Sequence, residues 1–215
     1  AIAVKSGGGP DPASNFKLRM IIEKARAANM PKDNVDRAMT RGQSATENID
    51  ESTYEGFGPG GIAVMVTTAT DNKNRTGQEI KNLFERVGGS LGGPGSVSFN
   101  FESKGFMVAN KEGSKEEQML ALIDLGVEDV EETEDGIEVY TAPDKLSETR
   151  KQLEEAGFRV SDVEMYMKPK NLITVSNVAD AQKALGFLDT LNEQDDVQKV
   201  YANLDIPTDI MAQIK

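Results

Sequence analysis

Two groups of cations are the side chains best placed by type and spacing to do chemistry. The loop 71–76, Asp-Asn-Lys-Asn-Arg-Thr, sets Lys73 and Arg75 beside two asparagines, where a β-rich run meets a helical pattern. Backbone amides at a helix start favour anions, so cations there suit a phosphate; the same residues also read as solvated loop charge. Nearer the N-terminus, Lys17, Arg19, Arg26, Lys32, Arg37 and Arg41 lie off the apolar positions of two short helical patterns. A basic helix face can hold nucleic acid, and it is also ordinary surface. These eight residues are the candidate nucleic-acid-binding set, and no catalytic or metal-ligating set stands beside them.

The residue types that are missing narrow the chemistry. The chain has no Cys and no His. Thiolate zinc sites, iron–sulfur clusters, disulfides, cysteine nucleophiles and Ser-His-Asp or Cys-His pairs are therefore excluded. General acid–base work also loses the one side chain that titrates near neutrality unaided. Carboxylate-only or lysine chemistry survives, but the reading is of a protein that is not an enzyme, with no cofactor and no small-molecule substrate.

Two glycine clusters and an acidic run invite sharper readings. Gly56-x-Gly58-x-x-Gly61 has the spacing of a dinucleotide fingerprint, but that motif follows a strand and opens a helix, whereas this one precedes a β-rich run and reads as a shaped turn. The run 88–96, Gly-Gly-Ser-Leu-Gly-Gly-Pro-Gly-Ser, lacks the Gly-Lys-Ser/Thr of a P-loop. It reads as a flexible surface loop, or as backbone offered to a phosphate or partner. The acidic stretch 128–138 reads as a solvated hairpin without the glycine placement of a calcium loop.

Periodicity supplies the elements that would hold these groups. Leu18, Ile21, Ile22 and Ala25 predict a helix from about Ser14 to Ala28, ended by Asn29. Pro31 opens a second that runs to Arg41 with Gly42 as its stop, burying Val35, Ala38 and Met39, and Asp33 can pair with Arg37 four residues on. Two helices this short imply a third, upstream of or including residues 1–5. The opening residues look like the tail of an interrupted helix, which implies N-terminal sequence before them. Residues 43–53 read as a polar linker.

A buried strand is expected at 62–70, then a helix capped by Thr76 with Glu79, then a strand from Ser96 to Phe101. From Gly105 the order restarts. A strand at 106–109, a helix capped by Ser114 with Glu117, two strands around the turn Asp135-Gly136, a helix at 144–156 and a strand around Val163, Met165 and Met167 make β-α-β-β-α-β, the ferredoxin-like arrangement. Residues 61–101 and 172–204 each supply β-α-β and would join into a second such sheet. The expected architecture is α+β: a helical domain at 1–51, a ferredoxin-like domain from 52–103 and 170–215, and a second ferredoxin-like domain at 104–169 inserted into it.

Charge is uneven along this plan. The net charge is −12, yet residues 1–51 hold eight Lys/Arg against seven Asp/Glu, while residues 104–169 hold eight against seventeen. An acidic surface repels phosphate, so nucleic acid should meet the near-neutral N-terminal part or local basic loops. No apolar run approaches the ~20 residues of a membrane helix. The expectation is a soluble protein without a membrane partner, cytoplasmic or, in a eukaryote, in the mitochondrial matrix.

Several strings together resemble the YebC/PmpR family: 29–42 (NMPKDNVDRAMTRG), 54–66 (YEGFGPGGIAVMV), 70–76 (TDNKNRT) and 88–101 (GGSLGGPGSVSFNF), preceded by the GGGPDP loop. The match is specific in the first half and runs as shared architecture through the second. Family members usually begin with a basic Ser-Lys-Trp segment not present here, and commonly carry Trp near the position of Phe99. The resemblance implies three domains, one helical and two α+β, and regulation without catalysis. It implies a DNA-binding transcriptional regulator or, alternatively, a ribosome-associated translation factor that contacts RNA, as the mitochondrial relative, a translational activator for cytochrome c oxidase subunit I, suggests. Nucleic acid is the implied partner in both cases: DNA in the first, ribosomal RNA in the second.

Overall fold

The computed structural model describes residues 1–43, 49–111, 113–133 and 136–214. They form two compact units, one of Ala1–Asn100 with Pro169–Lys215 and one of Phe101–Lys168.

The first unit opens with three helices, α1 (Ile2–Ser6), α2 (Phe16–Ala27) and α3 (Lys32–Gln43). Ala3, Val4 and Leu18 form their buried centre, with Ile22 and Met39 packed against it. So small a core needs polar fastening, and Asn15 provides it. Its Oδ1 accepts from the Leu18 N–H at 2.9 Å as the cap of α2, while its amide donates to the carbonyls of Ala3 and Gly9, each at 2.7 Å. Asn29 ends α2 at a positive φ of 55°. Gly42 is not the stop expected of it. It lies inside α3 and is buried, because a Cβ there would come within 2.5 Å of the Ala1 carbonyl oxygen, and its absence lets α1 pack on α3.

The expected linker at 43–53 lies outside the described residues over 44–48, and from Asp50 onward it is strand. Strand β1 (Asp50–Phe57) pairs antiparallel with β2 (Ala63–Thr70) along its whole length, from Asp50↔Thr70 to Phe57↔Ala63. The Gly56–Gly61 run bends this hairpin through Gly60 and Gly61, both at positive φ, and leads into a strand, so the shaped-turn reading holds.

Helix α4 (Lys73–Arg86) starts three residues before the expected cap. Asn72 caps it by accepting from the Arg75 N–H, and Thr76 is instead fully buried within the first turn. Ile80 and Phe84 of this helix pack with Ile62, Val64 and Val66. The expected strand Ser96–Phe101 is absent. The chain forms a two-residue strand β3 (Ser90–Leu91), then a loop and a 3-10 turn at Ser98–Asn100.

The second unit is β4 (Phe101–Asn110), α5 (Lys115–Asp124), β5 (Asp129–Glu132), β6 (Ile137–Thr141), α6 (Leu146–Glu155) and β7 (Arg159–Pro169). Its sheet runs β5-β6-β4-β7, the order of a ferredoxin-like fold. Met107, Leu122, Ile137, Val139, Leu146 and Leu153 are among its buried apolar residues. Ser114 caps α5 as expected. Of the turn Asp135-Gly136, Asp135 lies outside the described residues, and β5 and β6 pair antiparallel on either side of it.

The chain then completes the first unit with β8 (Ile173–Thr174), α7 (Val178–Asn192), β9 (Val197–Ala202), β10 (Leu204–Asp205) and α8 (Thr208–Met211). Ala184, Phe187 and Leu191 of α7 close the core over β2 and α4, and Phe84 meets Phe187 edge-on at 4.9 Å. The larger sheet runs β3-β1-β2-β9, with β8 and β10 as a separate parallel pair. The α+β class and the inserted arrangement therefore stand, while the larger sheet is built from the β1–β2 hairpin with β9 rather than from two β-α-β halves. A backbone ladder recruits polar residues such as Asp50 to Thr53 regardless of hydropathy, which is why β1 carries no apolar signature.

Candidate nucleic-acid interface

Three of the eight candidate cations, all on the surface, meet carboxylates of the same chain. Lys17 reaches Glu51 at 3.1 Å, and Lys73 reaches Asp50 at 3.6 Å. Two cations far apart in sequence are thus gathered at the start of β1, each beside a carboxylate. Arg75 is more firmly held. Its Nη2 donates to Asp71 and Asp196, each at 3.0 Å, and lies 3.5 Å from the Thr70 hydroxyl.

Asp196 is the centre of that network. The Thr76 hydroxyl sits 2.5 Å from its Oδ2. Burial alone would raise the Asp196 carboxyl, but the hydrogen bonds from Thr76, Arg75 and Thr70 outweigh it and hold the group below the usual carboxylate range. The phosphate reading of the 71–76 loop weakens accordingly: Arg75 is committed to two carboxylates, and the helix-start amide it would share with an anion is taken by Asn72.

The helical region is different. Arg19, Arg26, Lys32, Arg37 and Arg41 are exposed. Arg19 lies over the Phe16 ring at 5.5 Å. Arg37 donates from Nε to the Asp33 carbonyl at 3.2 Å and from Nη2 to the Asn34 side chain, so its link to Asp33 runs through the backbone. Among the described residues, Arg19, Arg26, Lys32 and Arg37 meet no carboxylate. At 100° per residue, Arg37 and Arg41 point away from Val35, Ala38 and Met39, which are half-buried rather than buried as expected, whereas Lys17 with Lys24 and Arg19 with Arg26 flank the apolar arc of α2 on opposite edges. The cations form a broad surface over two helices rather than one face.

One buried carboxylate fastens the glycine-rich loop nearby. Glu55 on β1 is buried, and its carboxylate accepts from the N–H groups of Gly95 at 2.9 Å and of Val97 and Ser98 at 2.8 Å each. Burial would raise this carboxyl, but the three backbone donors outweigh it and keep it below its ordinary value. Its own carbonyl accepts from Gly92 at 2.7 Å. The glycine-rich run is therefore a fastened loop that presents Phe99, 65% exposed, at its end. A lone Glu among Tyr, Gly and Phe residues was the available signal.

Among the described residues, no group of three or more Asp or Glu side chains is placed to hold a metal ion, and no helix is long and apolar enough to cross a membrane.

The chain matches two family models in succession: the TACO1/YebC protein N-terminal domain over residues 1–45, and the TACO1/YebC second and third domain over residues 49–204. It belongs to the TACO1/YebC family. Within that family it is 45% identical to a probable transcriptional regulatory protein of Dictyoglomus turgidum, an alignment covering 99% of this chain and 86% of the relative. A protein of the same description from Thermotoga maritima is also 45% identical, over 99% of this chain and 85% of its own. Among solved structures, a conserved hypothetical protein of Aquifex aeolicus superposes with a TM-score of 0.87 at 42% identity, covering 95% of this chain and 85% of that one. The TACO1/YebC assignment agrees with the resemblance carried by the four sequence strings.

Proposed function

We propose that this TACO1/YebC chain is a non-enzymatic regulator of gene expression that binds DNA through the cations of α2 and α3. The observation that carries the reading is the contrast in pairing. Arg19, Arg26, Lys32 and Arg37 are exposed and, among the described residues, meet no carboxylate, while Lys17, Lys73 and Arg75 are compensated internally. Surface cations without a carboxylate release counterions on meeting a polyanion; cations already paired gain little from the exchange. The names of the relatives, probable transcriptional regulatory proteins, support the regulatory role, and a role in transcription favours DNA as the partner in this reading.

The second reading, a ribosome-associated factor contacting RNA, is favoured by the balance of charge. A chain at net −12 suits a few local phosphate contacts combined with shape more than an extended basic track along a duplex. Gel-shift titration of duplex DNA over a range of salt, run beside co-sedimentation with ribosomes, separates the two. The double charge reversal R26E/R37E is expected to weaken the operative interaction at least about tenfold and to lower the DNA salt slope by about 0.9 for each phosphate that is no longer neutralised. Unchanged binding to both targets by R26E/R37E would sink the proposed interface.

A further inference from the structure

Phe99 is the most exposed large apolar side chain among the described residues, at 65%, yet the backbone that carries it is tied down on both sides. Ser98 N–H donates to Glu55 at 2.8 Å, and Asn100 N–H donates to the Val97 carbonyl at 2.9 Å. Val97, two residues before, is fully buried. Lys170 closes the other side: its N–H donates to the Asn100 carbonyl at 2.7 Å and its Nζ to the Phe99 carbonyl at 3.1 Å. Lys170 is exposed, and among the described residues that neutral carbonyl is its ammonium's only partner. An exposed aromatic ring on an anchored backbone, next to a cation that meets no carboxylate among the described residues, is a pairing that suits a nucleobase on the ring and its phosphate on the ammonium.

We infer that Phe99 and Lys170 form a stacking site for a single unpaired nucleobase, separate from the helical cations. The inference rests on the proposed reading that the chain binds nucleic acid, and it deepens it by naming what this second point of contact recognises. Bases inside a duplex already stack on both faces, so one exposed ring gains contact only where a base is unpaired, as in single-stranded RNA or an opened strand. Stacking on a ring is sequence-tolerant because every base has a π-face, so the site is expected to accept any base. Fixing the loop in advance through Glu55 lowers the ordering cost of each contact.

The chain contains no tryptophan, so F99W places one indole at the site as its own reporter. The full chain is titrated with a short single-stranded oligoribonucleotide and, separately, with duplex DNA at fixed salt, reading anisotropy of the labelled polymer and emission of F99W. Stacking is worth about 1–3 kcal/mol per base, so F99A is expected to lose about tenfold in single-strand affinity while duplex binding is unchanged. F99W is expected to keep affinity with its emission quenched, and K170Q to lower the single-strand salt slope by about 0.7, the share of one phosphate. Full single-strand affinity in F99A together with unquenched F99W overturns the stacking site while leaving the helical interface intact. Failure of the parent chain to hold either polymer overturns the nucleic-acid reading and this inference with it.

Discussion

Lys168 in the inserted domain and Arg26 on α2 carry the same charge into opposite surroundings. Lys168 Nζ lies 2.7 Å from Asp129 and 2.6 Å from Glu131, and sits 3.6 Å from the centre of the Tyr140 ring. Burial would lower its ammonium, but the two carboxylates outweigh that and hold it above the usual lysine range. Most other cations of that domain follow suit: Lys104, Lys115, Lys145, Arg150 and Lys151 meet carboxylate oxygens at 2.8 to 3.6 Å. Arg26 and Lys32 are exposed and meet none among the described residues. The surplus of acid in the inserted domain thus cancels that domain's own cations and leaves a negative remainder, while the helical region keeps exposed positive charge. A net charge of −12 is then compatible with one surface that attracts phosphate, because screening confines each field to about a Debye length, ~8 Å at physiological salt.

The strongest way to probe the internally satisfied side of this contrast is Glu55, a carboxylate paired with amides instead of a cation. E55Q removes the charge and turns an N–H₂ group toward backbone donors. It is expected to cost about 3 kcal/mol in urea unfolding, since hydrogen bonds to charged groups are worth more than neutral ones and an orphaned buried amide adds its desolvation. The pH dependence has a definite sign. Because the folded carboxyl titrates below its unfolded value, its stabilisation is complete above the ordinary glutamate range and disappears as pH falls through the depressed folded value. E55Q should flatten that acid limb, and an unfolding profile as steep as the parent's would show that Glu55 does not set it.

Next in size is K168M. It leaves Asp129 and Glu131 facing each other across a partly buried site where the lysine side chain is only 18% exposed. Breaking a fully buried pair costs about 3–5 kcal/mol, and partial solvent access reduces this to about 2 kcal/mol, read as a lower midpoint of thermal unfolding. The Asp129 carboxyl, held low chiefly by its hydrogen bond from Lys168, should return toward its ordinary value in the variant, measurable by side-chain NMR titration. Nucleic-acid affinity should not change. A gain in affinity for K168M, or a decrease, would mean that the inserted domain takes part in binding after all.

How much of this was legible follows from the range of the interactions. The helices announced themselves through apolar residues at 3.6 spacing, and Ser114 with Glu117 marked the start of α5 because capping is settled within four residues. The start of α4 was misplaced because two caps compete there, Asn72 and Thr76. The choice is made by Asp196, which draws the Thr76 hydroxyl into the interior from 120 residues away. The alternating run Ser96 to Phe101 resembles a strand, but Glu55 claims its backbone N–H groups before any ladder can. The candidate cations could be named from their sequence positions. Which of them the fold would neutralise could not, because Glu51, Asp50 and Asp196 reach them only through tertiary structure.

The smallest expected effect is the sharpest test of the contrast. If Arg26 and Arg37 are held for a ligand rather than for the fold, R26A/R37A should leave stability within about 0.5 kcal/mol of the parent. Arg26 lies in the last turn of α2, where a cation interacts favourably with the helix end by about 0.3 kcal/mol when exposed. Arg37 gives up exposed hydrogen bonds to Asp33 and Asn34, which water replaces. Alanine offsets part of both effects through its better helix propensity. Differential scanning calorimetry of the full chain should therefore show a shift of no more than ~2 °C. The same variant should bind nucleic acid more weakly. A midpoint lowered by several degrees would show that these arginines stabilise the small helical core of Ala3, Val4 and Leu18, and the distinction between paired and available cations would then fail where it matters most.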